Sequence, residues 1–481
     1  MSAHAFAAFS AASLLATVAL AQIPPVIPYA RTFDLTVVDS TFDGVWRLSD
    51  QNQDGDYNDP GEVISFYSDL TPGGVALTNP TCVVTSPDGT TFIADSTIDI
   101  VLAMRDLNGD GDANDAGEYR VFFNSTTNAS GIIMASAQGI TVDALGRLFV
   151  ANSNAGTTGQ DNILKLEDLN GDGDANDAGE SFVYCLIPTG AGAVGNSIPT
   201  KVVVGPDLNL YYTDVASTTP VVTVKGVYKL EDNNNDGDAN DVGEVTLFWA
   251  PPFTATPFYW SLAVDWLGNF YVTDHSTNRN VWRGRDADNS GTITGGEQTL
   301  FFNDAAATWW DVVLRDDGVV LLANSSTPDR LTACIDLNND GDAMDANESS
   351  LAYSATVSSS PISLRGAAFF RAPVFDPIAS VQIGNTTTLG LHAVKPGDLC
   401  VSIFSIGLGL PFPLAPWGTV EIDLSQFVVF GVGIADPTGT FAHPFAAPNT
   451  ASAIGTWAFQ GWCGDNFRLF LSNATTLTIT P

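Results

Sequence analysis

One thirteen-residue acidic pattern recurs along the chain. It reads DQNQDGDYNDPGE from Asp50 to Glu62 and DLNGDGDANDAGE from Asp106 to Glu118 and again from Asp168 to Glu180. It continues as DNNNDGDANDVGE from Asp232 to Glu244 and DLNNDGDAMDANE from Asp336 to Glu348. A shorter copy, DADNSGTITGGE, runs from Asp286 to Glu297. Successive copies start 56, 62, 64, 54 and 50 residues apart. A period of this size is one supersecondary unit that cannot bury its apolar surface alone, so the chain must stack its units as blades or coils.

The residues between the acidic segments decide which. Each unit carries an apolar, β-rich run, a D-x-x-G-type turn, a second such run and then Asp or Asn. Examples are CVVTSPDGTTFIADS (Cys82–Ser96), GITVDALGRLFVANS (Gly139–Ser153), SLAVDWLGNFYVTDHS (Ser261–Ser276) and DVVLRDDGVVLLANS (Asp311–Ser325). That pattern is a hairpin. A third run follows, such as NILKLED (Asn162–Asp168), then the acidic segment, then a fourth run such as ESFVYCL (Glu180–Leu186). Four antiparallel strands without helical periodicity make a propeller blade, and six acidic segments predict six blades. Before the first segment there is material for two strands only, Phe33–Val38 and Gly44–Ser49. After the last, Ser349–Tyr353 supplies a fourth strand, and one more inner-strand sequence, Ile362–Phe370, remains to complete blade one. The expected fold is all-β: a six-bladed β-propeller over 32–372, closed by its C-terminal strand, followed by a small β-sandwich over 376–481.

The acidic segments have the chemistry of calcium loops. Such loops place oxygen ligands at alternate positions of a tight turn, with Gly at position six. The candidate ligands of the first copy are Asp50, Asn52, Asp54, Asp56, Asp59 and Glu62. In the second they are Asp106, Asn108, Asp110, Asp112, Asp115 and Glu118, and in the third Asp168, Asn170, Asp172, Asp174, Asp177 and Glu180. The fourth offers Asp232, Asn234, Asp236, Asp238, Asp241 and Glu244, and the last Asp336, Asn338, Asp340, Asp342, Asp345 and Glu348. The final two acids of each fall at positions ten and thirteen, one residue later than in an EF-hand, which predicts one extra residue after the Gly. The short copy has no insertion: Asp286, Asp288, Ser290, Thr292 and Glu297 fit twelve positions directly. With fewer acids, it is expected to be the weakest site. The bland alternative is a solvated acidic turn, but five acids in thirteen residues repel one another without a counterion. Calcium, about six ions with one per blade, is preferred to magnesium, which takes few carboxylates and keeps its waters. Strands flank the loops, so no helix pair is there to open as a switch.

Three resemblances follow from these residues. VDWLGNFYVTDHSTNRNVWR (Val264–Arg283) looks like an NHL repeat, a blade type of six-bladed propellers. The acidic loops resemble EF-hand and FG-GAP calcium loops, the latter inserted in propeller hairpins. The stretch TWAFQGWCGDNFRLFLSNATTLTI (Thr456–Ile479) resembles a C-terminal domain of secreted proteins from planctomycete-like bacteria. The NHL resemblance covers about residues 32–372. It implies a fold and leaves activity open, since propellers host many functions.

Charge narrows the partners. The chain has 54 acidic against 18 basic residues among its 481, a formal charge of −36. Neither nucleic acid nor an anionic membrane suits such a surface, while 45% hydrophobic residues suffice for a large core. Residues Ala5–Ala21, ending Ala19-Leu20-Ala21, read as a signal peptide over 1–21, too short to span a membrane. Secretion, or export to the periplasm or cell surface, is expected. Of five cysteines, Cys82, Cys185 and Cys334 lie in strand-like runs as inert thiols. Cys400 and Cys463 are the expected disulfide. Trp417, Trp457 and Trp462 are read as core aromatics of the C-terminal domain rather than as a sugar platform.

Residues just before each inner strand are the candidates for the tunnel mouth: Gln138, Lys201, Trp260, Trp309, Trp310, Asp311 and Arg365. Three Trp at one rim would suit a sugar or aromatic ligand, although propellers also pack blades with such residues. Among four His, only His275, after the second strand of the NHL-like blade, merits attention. No G-x-S-x-G, H-E-x-x-H or P-loop is present. Two functions stand side by side: a calcium-stabilised binding or scaffold protein for an extracellular glycan or protein, and a propeller lactonase, lyase or glycosidase working at the tunnel. Gluconolactonase-type propellers hold one tunnel metal with acidic and amide residues, a cluster that has no residue-by-residue match here. The sequence leans away from an enzyme and assigns no catalytic residue.

Overall fold

One strand in each sequence unit is buried along its whole length: Leu35–Asp39, Thr91–Asp95, Leu148–Asn152, Leu210–Asp214, Phe270–Asp274 and Val320–Asn324. A strand buried on both faces must stand in a sheet flanked by two others. The computed structural model of the chain has this arrangement, with six four-stranded antiparallel sheets in a ring. It describes residues 34–480 except 51–53, 69–70, 72, 87–89, 107–110, 144–145, 154–160, 188–197, 216–224, 253–255, 266–267, 316–317, 327, 356–362, 370–373, 376–379, 393–398, 406–407, 415–417, 423–427, 436–439, 451–453, 465–468 and 472–474. The signal segment 1–21, Asn52, Asn108, Asp110 and Trp417 therefore lie outside the described residues. All described elements are strands.

The inner strands of blades one to six are Leu364–Phe369, Pro80–Thr85, Ala137–Val142, Pro199–Val204, Tyr259–Val264 and Trp309–Leu314. They neighbour one another in that order, and the last returns to the first. Closure is by the late strand, as the end-of-chain arithmetic requires: Leu35 pairs with Phe369, Thr36 with Ala368 and Val37 with Ala367. Between blades the faces interlock. Cys82, Phe92 and Val101 of blade two meet Ile140, Val150 and Leu164 of blade three. At the seam, Leu35 and Leu48 of blade one meet Leu321, Leu331 and Tyr353 of blade six. Each such side chain taken out of water contributes about 1.5–3 kcal/mol.

The Asp or Asn ending each second strand has a structural task. Asp95 Oδ2 accepts from the Thr78 and Asn79 N–H groups at 2.6 and 2.9 Å. Asn152 Oδ1 accepts from Ala135 and Ser136, and Asn324 Oδ1 from Thr308 and Ser326. Asp274 Oδ1 takes Phe258 and Ser276. These oxygens satisfy amides of the turn entering the inner strand that have no ladder partner, and those of Asn324 and Asp274 also tie it to the turn leaving the second strand.

The second unit, Ala372–Pro481, is a β-sandwich. One sheet runs Ser380–Gln382, Thr475–Thr480, Gly455–Gly464, Leu399–Ser405, Val428–Ile434. The other runs Val374–Phe375, Thr386–His392, Thr440–Ala446. Leu389, Leu391 and Phe445 of one pack on Cys400, Phe459, Leu477 and Ile479 of the other. Trp457 stacks on Phe404 with ring centroids 4.9 Å apart. Cys400 and Cys463 sit directly opposite on paired strands. Their sulfurs lie 3.3 Å apart, the pair that the sequence expects to be bridged.

Candidate functional site

Each acidic segment joins the third and fourth strands of its blade. Its first Asp folds back on the Gly at position six. Gly55, Gly111, Gly173, Gly237, Gly291 and Gly341 donate their N–H to Asp50, Asp106, Asp168, Asp232, Asp286 and Asp336 at 2.9–3.0 Å. All six glycines have positive φ, from 84° to 102°, a conformation that a side chain resists. The closing Glu turns inward. Glu62, Glu118, Glu180, Glu244 and Glu348 are buried. The Oε2 of each of these, and of Glu297 in the short copy, accepts the N–H three residues earlier at 2.9–3.3 Å. In the described loops the other oxygen accepts from positions two or three, as Glu180 does from Leu169 and Asn170.

These bonds place the extra residue of the long copies. Asp177 donates to Glu180 as Thr294 donates to Glu297. Position eight is equivalent in both kinds of loop. There Tyr57, Ala113, Ala175, Ala239, Ile293 and Ala343 are buried. The insertion is therefore position nine, the third residue after the Gly. In four loops it is Asn, and its side chain reaches the neighbouring blade: Asn58 accepts from Ser354, Asn176 from Asn124 and Asn240 from Leu186. Asn114 pairs with Thr71.

Position eight makes a second link. Every outermost strand has a β-bulge, at Phe66, Phe122, Tyr184, Phe248, Phe301 and Ala352. The bulged carbonyl leaves its own ladder and accepts the position-eight N–H of the next blade's loop. The pairs are Ala113 to Phe66, Ala175 to Phe122, Ala239 to Tyr184, Ile293 to Phe248 and Ala343 to Phe301, with Tyr57 to Ala352 closing the ring, at 2.7–2.9 Å. The loops thus both gather carboxylates and hook blade to blade.

In the short loop, carboxylate oxygens of Asp286, Asp288 and Glu297 come within 4.8 Å of one another, the one such trio among the described residues. Glu297 is held below the usual carboxylate range, first by the Thr294 N–H and then by the Ala287 N–H. Asp288 is lowered by the Ser290 side chain and N–H. Among the described residues, the copy expected to be weakest has the most convergent carboxylates. In the longer loops some carboxylates are turned to local amides, as Asp174 is to Asn176, and Asp336 is paired with Arg283 at 3.2 Å.

The tunnel is lined by a second set of bulges, one per inner strand: Thr81, Gln138, Thr200, Trp260, Trp310 and Arg365. The bulge breaks the alternation so that consecutive residues can both face the axis. Behind these, Lys201 Nζ lies 2.9 and 3.1 Å from the two oxygens of Asp311. Asp311 also accepts from Ser261 Oγ at 2.5 Å and from the Val312 and Ala367 N–H groups. One carboxylate therefore binds blades four, five, six and one. The space left is about 10 Å³, room for roughly one water. Trp309 is a correction: it lies one residue before the bulge, is fully buried, and sends its Nε1–H to the Arg279 carbonyl. Its place is the packing between blades.

At the mouth, the Arg365 guanidinium carbon lies 3.9 Å from the Trp310 ring centroid. Trp260 meets Trp310 edge-on at 4.8 Å, and His275 packs on both. His275 Nδ1 donates to the Trp309 carbonyl at 2.7 Å, which leaves Nε2 as the acceptor nitrogen. Burial, and secondarily the Arg365 and Arg279 charges, lower its pKa. Asp329, beside Arg365, is raised to about 6 by burial, against the Leu364 N–H and the Arg365 charge. Sequence reasoning missed Asp329 because it sits in a loop without a motif.

No protein-family model matches the chain, and no curated protein matches it in sequence. Solved structures resemble it at fold level. A candidate gluconolactonase is 16% identical, covering 66% of this chain and 86% of its own, with TM-score 0.40. A candidate 6-phosphogluconolactonase from Bacteroides fragilis is 13% identical, covering 88% and 98%, with TM-score 0.42. A glucose dehydrogenase is 11% identical, covering 64% and 98%, with TM-score 0.34. At such identities and scores these likenesses carry no argument about activity.

Proposed function

We propose that this is an exported calcium-binding β-propeller that serves as a binding or scaffold protein. Calcium ions staple the loop between the third and fourth strands of each blade. One observation carries the reading: six loops at equivalent places share one cradle, in which the first Asp is pinned to the Gly amide and the last Glu is turned inward. Carboxylates gathered this way repel one another until a cation joins them. Oxygen ligands alone, many of them carboxylates, suit calcium best. We also read the blades as NHL-type and the C-terminal sandwich as the domain of planctomycete-type secreted proteins, on the residues quoted above. The filled axis favours binding over turnover inside the tunnel.

Equilibrium dialysis of the full chain with labelled calcium tests the loops. About six ions should bind, with affinities of roughly 10⁻⁴–10⁻³ M as in extracellular modules. Asp168→Ala should remove one of them. A chain that takes up no calcium at 10⁻² M, an order of magnitude above that range, contradicts the proposal.

A further inference from the structure

The rim of the tunnel is chemically divided. Thr81 and Thr200 spend their hydroxyls on the next blade, donating to the Ala137 and Tyr259 carbonyls at 2.7 and 3.1 Å. The adjoining arc, from blades five, six and one, is aromatic, with Trp260 stacked on Phe258 at 5.3 Å, and it keeps polar groups without partners among the described residues. Trp260, Trp310, His275 and Arg365 are each partly exposed. The indole N–H groups of Trp260 and Trp310 have no acceptor among the described residues. Arg365 gives its Nε–H to Ser40 Oγ at 3.0 Å, and its two terminal amino groups have no partner there. Its neighbour Asp329 spends one oxygen on the Leu364 N–H. Across the rim, Gln138 donates to Ser136 Oγ, and its side-chain carbonyl oxygen has no donor among the described residues.

We propose that this arc binds a carboxylate-bearing sugar ring of the uronic-acid type. The guanidinium lies against an indole with its fork open, the arrangement that takes a carboxylate through two parallel hydrogen bonds. The indoles offer apolar surface beside N–H donors, which suits a ring carrying both C–H and O–H groups. His275 Nε2 accepts a hydrogen bond from one ring hydroxyl, and the Gln138 side-chain carbonyl from a second. The ligand rests on the mouth, because the Lys201–Asp311 pair fills the axis below. A molecule with formal charge −36 repels polyanions at long range, so the Arg365 guanidinium reads one carboxylate, as at a chain end or on a monosaccharide. This rests on the binding-protein reading but not on the calcium loops, and it is tested with calcium in excess.

Tryptophan fluorescence and calorimetry on the full chain would compare three probes: galacturonate, galactose and benzoate. Galacturonate should bind at least tenfold more tightly than galactose. Arg365→Met, which keeps a flexible stem over Trp310, should remove that preference and leave galactose unchanged. Arg365→Lys should restore only part of it, since an ammonium cannot make the paired contact. Trp260→Ala should weaken both sugars alike. Equal affinity for the two sugars, or an acid preference that survives Arg365→Met, overturns the proposal. Benzoate binding more tightly than galacturonate overturns the carbohydrate assignment. An unchanged melting temperature of each variant in calcium shows that the fold is intact, and the Arg365→Lys comparison stands if Arg365→Met does not fold.

Discussion

Asp311 joins more of the ring than any other single side chain described above. Its two oxygens accept Lys201 Nζ, Ser261 Oγ and two backbone amides. Breaking a buried pair leaves the partner charge without compensation, which costs about 3–5 kcal/mol. Asp311→Ala should therefore lower stability by about that amount in chemical denaturation. A loss under 1 kcal/mol would show that the hub is not structural. Asp311 and Lys201 were legible as axial residues, although they stand inside their inner strands and not just before them; their mutual contact was not legible, because it joins residues 110 apart. The bulges also escaped notice. An inserted residue shifts register without a sequence signal of its own, so Trp309 and Trp310 looked equivalent although one is core and the other rim. At the mouth, His275 and Asp329 titrate in opposite senses. The lowered His275 pKa favours the fold above pH 6.5 and loses that contribution as pH falls through its folded value. The raised Asp329 pKa favours the fold below about 4 and loses that contribution as pH rises through about 6. Two-dimensional NMR of the His275 ring should find its midpoint below 6.5; a midpoint above 6.5 would contradict the burial described.

The loops carry the account at the next scale. Their recurrence, their glycines and their place in the blade were plain in the sequence, because each follows from local spacing. Their second task was hidden, since the hook to the bulged carbonyl of the neighbouring blade depends on tertiary placement. It has a direct test. Proline lacks the donating N–H, so Ala175→Pro should cut the link to Phe122. The lost hydrogen bond and the stranded carbonyl together cost about 1–3 kcal/mol. Ala175→Gly, which keeps the amide, should cost less. Equal losses would remove the hook from the account. In the sandwich, Cys400 and Cys463 face each other on paired strands, a separation that a disulfide can span. An oxidising compartment, where the proposed export would place the chain, should join them. Non-reducing peptide mapping should find that bond and leave Cys82, Cys185 and Cys334 free; a bridge to any of those three contradicts their burial inside blades.

For the whole molecule, the ring closes in two places at one seam: the strand Leu364–Phe369 completes blade one, and Tyr57 hooks blade one to Ala352 of blade six. Both belong to a design in which every blade grips the next through an acidic loop. Twenty-eight of the 54 acids lie in those six loops. Metal-free, each loop holds like charges close together, at roughly 1 kcal/mol per pair even in water, at the points where blades are joined. Calcium should therefore stabilise the ring as a unit, with the linkage expected when a ligand binds only the folded state. The most direct measurement is thermal unfolding of the intact chain in millimolar calcium and in excess chelator. The account predicts one cooperative propeller transition that moves up with calcium concentration, falls on chelation and recovers when calcium is restored. A transition at the same temperature in chelator and in calcium would contradict it.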